Sequence, residues 1–170
     1  MSTTPDGEYA KSIANLQALV AASATFQTAV GAADATAAIG SIYWMGMEPP
    51  DEITTPYAWI MLRPGANGDA PASGGNGFWH TFPMAIILYR PDDSATNLAE
   101  SDTPAQRNAK HKERIVAFLT FVGKCVRDWE ALAKTAGYLQ VTQISLERFE
   151  LSSESEPTRY QMATIGVQVS

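Results

Sequence analysis

The residues able to do chemistry in this chain are few. There are two histidines, His80 and His111, one cysteine, Cys125, and scattered carboxylates. Neither histidine has a neighbour at metal-ligand spacing, and there is no His-Glu-x-x-His or Cys-x-x-Cys. His80 stands beside Trp79 in a strand-like segment and reads as a satisfied or surface histidine. Cys125 falls on an apolar helix face, where a thiol behaves as a small hydrophobe; a nucleophile needs an accessible, electropositive site. The Gly-Gly-Asn-Gly run, Gly74 to Gly77, invites a phosphate-loop reading. It lacks the Gly-Lys-Ser/Thr ending, and a strand rather than a helix follows it. No Gly-x-Ser-x-Gly elbow is present. Asp92-Asp93 and Glu147/Glu150 are carboxylate pairs of a kind that turns and strand faces carry routinely. These residues predict no catalysis, no cofactor and no metal.

A charge pattern is more unusual. Arg107, Lys110, His111, Lys112 and Arg114 crowd the start of a predicted helix, where cations oppose the helix dipole. Arg107, Lys110 and Arg114 share one stripe beside the apolar face, and Phe121 continues it. The stripe is either a solvated face paired with Glu100, Asp102 and Glu113 or a contact patch for an acidic neighbour. If it is a patch, changing all three cations to Glu spares the fold and weakens assembly, most at low salt. Glu147 to Glu156 carries four acids against Arg148 alone. Opposite patches on one small protein suit head-to-tail association.

The element that positions this pattern is one long helix over 104–136. Thr103 can cap it, Pro104 suits the first helical position, and Gly137 is the expected stop. Ile115, Phe118, Leu119, Val122, Cys125, Val126, Trp129, Leu132, Ala133 and Ala136 recur with a helical period. That stripe is wide enough to face a sheet. Before it, the spacing predicts a helix over 8–22 with Ile13, Leu16, Leu19 and Val20 on one face. A second helix, 24–30, follows, capped by Ser23 and closed by Gly31, and a third, 35–39, capped by Asp34 and closed by Gly40.

Strands are predicted at 42–47, stopped by Pro49 and Pro50, at 57–62, and at 78–89, ended by Arg90-Pro91. Between the last two, 65–77 holds five glycines and one proline and is expected to be a mobile loop. A strand over 138–151 changes parity twice, from Leu139/Val141 to Ile144/Leu146 to Phe149/Leu151, as two bulges would make it. A last strand, 158–169, changes parity once, from Tyr160/Met162 to Ile165/Val167/Val169. The expected fold is α+β, a mostly antiparallel sheet against one long helix with short N-terminal helices.

The 78–89 strand is apolar at both parities. Trp79, Ala85, Ile87 and Tyr89 occupy one face, and Phe78, Phe82, Met84, Ile86 and Leu88 the other. Both faces therefore need cover. The long helix covers one; the other meets either the N-terminal helices, making a three-layer monomer, or another subunit. The expected assembly surface comprises Trp79, Ile87, Tyr89, Arg107, Lys110, Arg114 and Phe121.

The bulk properties set the frame. At 170 residues one domain is the default; 45% hydrophobic and 18% charged residues are ordinary for a folded soluble protein. No apolar run reaches membrane-spanning length, and the N-terminus lacks a signal-peptide layout, so the expected compartment is a cytoplasm. A lone cysteine forms no internal disulfide. The net charge of −6 and pI of about 4.8 argue against a surface built to grip nucleic acid. They suit a channel past which DNA must slide.

Leu19 to Tyr43, LVAASATFQTAVGAADATAAIGSIY, resembles the opening of small proteins from the head–tail joining modules of long-tailed bacteriophages. Pro56-Tyr57-Ala58-Trp59-Ile60 looks like the strand that follows there, and a sheet strand, a long helix and two closing strands complete the order. The layout is most similar to tail terminator, or tail-completion, proteins. The resemblance implies no catalytic residues. It implies a ring of copies, commonly six, at the head-proximal end of the tail tube in the virion, assembled in the host cytoplasm. Such a ring ends tube polymerisation, meets the tail tube protein and the head connector, and lets DNA pass without binding it. Two other readings fit the layout: another neck protein, such as an adaptor or stopper, and a small cytosolic ligand-binding or enzymatic α+β domain.

Overall fold

The structure, a computed structural model, describes residues 5–48, 55–63, 82–91, 98–135, 137–138, 141–153 and 160–169. The 65–77 loop, Trp79, His80, Asp92-Asp93 and the acids at 154 and 156 lie outside the described residues.

Three N-terminal helices come first: α1 (Pro5–Ala22), α2 (Ala24–Val30) and α3 (Ala35–Ala38). α1 begins at Pro5 rather than Glu8, with proline at the position where its missing N–H is harmless. The Ser23 hydroxyl accepts from Phe26 N, and Gly31, at φ 69°, closes α2. The Asp34 carboxylate accepts from Ala37 N at 2.8 Å. α3 does not stop at Gly40: it tightens into a 3₁₀ turn, Ile39–Ser41, that runs straight into β1 (Ile42–Trp44). β1 is shorter than the expected 42–47 strand. A turn at Met45–Met47 ends it, with Gly46 at φ 90°, before Pro49 and Pro50 are reached.

β2 (Tyr57–Leu62) and β3 (Phe82–Pro91) follow, then α4 (Pro104–Ala133), β4 (Val141–Leu151) and β5 (Tyr160–Val169). The sheet order is β1-β2-β3-β5-β4, parallel between β1 and β2 and antiparallel elsewhere. β3 is central yet carries Pro83 and Pro91. Both lie outside the stretch Met84–Tyr89 that pairs with β2, so their missing N–H groups cost no bond on that side.

β4 has two register shifts, between Thr142 and Ser145 and between Leu146 and Arg148, where the apolar parity changes; Gln143 adopts φ 51° at the first. β5 has no such break. Its pairing with β3 is regular throughout, and Gln161, Ala163, Ile165, Val167 and Val169 all face inward. The apparent parity change arises because a polar residue, Gln161, takes an inner position while Tyr160 and Met162 stay outside.

α4 carries a full capping box: Gln106 N donates to the Thr103 hydroxyl, and Thr103 N donates to the Gln106 side chain. It ends at Ala133, not at Gly137. Thr135 N and its hydroxyl both donate to Leu132 O, at 2.9 and 2.7 Å, and this tight turn closes the helix early.

A single apolar cluster joins the helices to the inner sheet face. α1 and α2 contribute Leu16, Leu19, Val20 and Phe26; α4 contributes Phe118, Val122, Cys125 and Trp129; the sheet contributes Ile60, Ile86, Leu88, Ile165 and Val167. The fold is α+β. The N-terminal helices lie in the same layer as α4, not on the second sheet face. Within that layer α2 and α4 are tied through Asp128 of α4, whose carboxylate accepts from the Ser23 hydroxyl at 2.7 Å and Thr25 N at 3.0 Å. Burial pushes this carboxyl up, but those hydrogen bonds outweigh it and hold its pKa below the usual value.

Candidate assembly interface

The basic stripe does not form one exposed patch. Arg114 is buried at 4% exposure. Its guanidinium donates to Ser152 O at 3.1 Å, Ser152 Oγ at 3.0 Å and Tyr160 O at 3.2 Å. It pins α4 to the end of β4 and the start of β5. A glutamate there would set a carboxylate against two carbonyl oxygens, so the triple Glu substitution cannot spare the fold. Phe121 is also buried, with the Arg90 guanidinium 5.5 Å from its ring centroid. Both residues are buried within the monomer for the same reason: α4 turns this line toward the sheet. Lys110 and Arg107 remain nearer the surface. Lys110 Nζ pairs with Asp102 at 2.8 Å, and that hydrogen bond leads the effects that hold the Asp102 pKa low. His111 is half-buried on the same helix.

The acidic stretch is likewise engaged where it is described. Glu147 pairs with Arg63 at 2.8 Å, and Glu150 with Arg148 at 3.0 Å. Glu147 reaches Arg63 across β5 at Gly166, where any Cβ would collide with its carboxylate. The two form part of a shallow cleft of about 170 Å³ with Gln143, Ser145 and Gln168.

Ile87 and Tyr89 sit on the outer sheet face, half-buried. Tyr89 belongs to an aromatic ladder across four strands: Tyr43, Tyr57, Tyr89 and Tyr160, with successive ring centroids 5.2, 5.0 and 5.2 Å apart. Burial, then the neighbouring Tyr89 and Tyr43, pushes the Tyr57 hydroxyl up to about 12. The Tyr89 pKa is raised for the same reason, with Tyr160 and Glu150 adding to it.

The most exposed large apolar residues lie elsewhere. Ile115 and Leu119, expected in the core, are 37% and 39% exposed; their neighbour Val116 is 54% exposed. They occupy the α4 flank away from Asp128, about 120–180° round the helix at about 100° per residue. Leu146 and Phe149, at 45% and 43%, lie on the helix-facing side of β4, the edge strand against which α4 packs. A second set, Met45, Met47 and Leu62, marks the far corner of the sheet, where β1 and β2 end. The sequence signal for the first set was the width of the α4 stripe, which exceeds what one sheet face covers. Nothing in the residue pattern singled out the second.

Cys125 is fully buried, and burial pushes its thiol up to about 12. Among the described residues no three His, Cys, Asp or Glu side chains are grouped to hold a metal, and no helix is long and apolar enough to cross a membrane. No protein-family model matches this chain, and comparison with curated proteins finds no match.

Proposed function

We propose that this chain is a ring-forming structural subunit of a phage neck, a tail terminator that closes the head-proximal end of the tail tube. The sequence layout supports the assignment by resemblance. The observation that carries it is the apolar flank of Ile115, Val116, Leu119, Leu146 and Phe149, left outside the two-layer core. Solvent-exposed apolar residues grouped at a sheet edge mark an assembly surface. In this reading the partners are further copies of the chain, the tail tube protein on one face and the head connector on the other. The acidic balance keeps DNA unbound as it passes the lumen. The protein works by shape and contact, without cofactor or catalysis. Electron microscopy of the purified chain, alone and with tail tubes, tests the proposal.

A further inference from the structure

The two breaks in β4 leave a short island of ladder between them. Thr142 pairs with Gln168, then Ser145 with Gly166 and Leu146 with Ile165, and only after a second shift does Arg148 pair with Thr164. Ser145 and Leu146 are thus held to β5 at two register positions with an irregularity on each side. β4 is an edge strand, and every residue from Ser145 to Phe149 is exposed. Broken pairing and little burial mark a segment that opens locally while the rest of a fold stays closed.

Glu147 is the extra residue of the second bulge. Continued without that bulge, the register from Arg148 would set Glu147 opposite Ile165, which is fully buried in the apolar cluster. A carboxylate would then face the core. The bulge turns it to the outer face instead.

There Glu147 meets Arg63, the residue after β2, at 2.8 Å. β2 and β4 are not neighbours: β3 and β5 lie between them, three steps of about 4.8 Å in all. On the outer face those two strands set small residues, Ala85 and Gly166, opposite each other in register. A Cβ on Gly166 would displace the Glu147 carboxylate. The side chains are 40% exposed at Arg63 and 23% exposed at Glu147, so salt reaches the pair.

We propose that the Arg63–Glu147 ion pair is a latch that ties the 145–147 island of β4 to β2 across the sheet, and that salt releases it. Leu146, one of the exposed flank residues, rides on this island, so the latch governs how that part of the flank is presented. The latch stands on geometry within one copy, so its failure leaves the proposed function standing.

The test is amide hydrogen exchange of the full chain, resolved by NMR at low and high salt. Exposed ion pairs are weak, so Arg63→Gln at low salt should speed exchange of the 145–148 amides by about two- to five-fold. The amides of Ile86 and Leu88, in the central strand, should keep the parent's rates. Glu147→Gln and the double variant should match Arg63→Gln rather than add to it. Gly166→Ala, which moves the carboxylate and removes neither charge, should act the same way. In the parent, salt at about 1 M, where the screening length is about 3 Å, should bring the same acceleration, and in the variants none. The salt comparison on the parent depends on no variant's folding. An unchanged rate in Arg63→Gln, an acceleration that spreads equally to Ile86 and Leu88, or a parent indifferent to salt overturns the latch.

Discussion

Replacing Arg114 with alanine is expected to destabilise the protein by about 3–4 kcal/mol. The guanidinium makes three hydrogen bonds at 3.0–3.2 Å to Ser152 and Tyr160. Bonds to a charged group contribute about 1.5–3 kcal/mol each, but they share one head group and do not add. Two acceptors keep other donors: Tyr160 O accepts from Ser152 N at 3.0 Å, and Ser152 Oγ from Tyr160 N at 2.9 Å. The loss therefore falls mainly on Ser152 O and on the packing of the aliphatic stem, at the lower end of the roughly 3–5 kcal/mol typical of broken buried charged contacts. A domain stability of about 5–15 kcal/mol makes this a large fraction. Urea denaturation followed by circular dichroism measures it. Arg114→Met, which keeps the stem, should recover about 1 kcal/mol, and Lys112→Ala, at an exposed position, should stay within about 0.5 kcal/mol of the parent. An Arg114→Ala loss below about 1 kcal/mol would mean that the guanidinium is solvated rather than buried against Ser152 and Tyr160.

Cys125 should resist a thiol reagent at pH 8 in the native state and react fully in urea; rapid native labelling would contradict its burial. The depressed Asp128 pKa adds stability that is present above the unfolded carboxyl value of about 3.9 and lost as pH falls through the lower folded value. Asp128→Asn should therefore lie below the parent in stability at pH 6, with the gap closing below about pH 4; a gap independent of pH would refute it. Ile87→Asp, on the outer sheet face, should leave a folded protein by circular dichroism, and an unfolded variant would place Ile87 in the monomer core instead.

Much of the architecture was legible because it rests on local chemistry. Thr103, Pro104 and Gln106 announce the start of α4, Ser23 and Gly31 bracket α2, and each bulge of β4 shows as a parity change. What was not legible depends on where the chain returns in space. The burial of Arg114 requires Ser152 and Tyr160 to converge on it, and they lie 38 and 46 residues away. A helical period placed Ile115, Leu119, Phe121 and Phe118 near one another but could not tell which of them the sheet covers. Gly137 and Pro49 looked like stops, yet Thr135 and Gly46 turned the chain first. The candidate interface was legible only as an excess of apolar residues on α4. Its expected members divided: Arg114 and Phe121 serve the monomer, while Ile87 and Tyr89 stay on the outer face.

The role proposed for the chain is a ring that closes a tail tube. The direct measurement is electron microscopy of tail tubes polymerised in vitro with and without the purified chain. A tail terminator gives ring-shaped particles on its own, shorter tubes in its presence, and one ring-shaped cap at a single end of each tube. Monomers that leave tube length unchanged and both ends bare would contradict it.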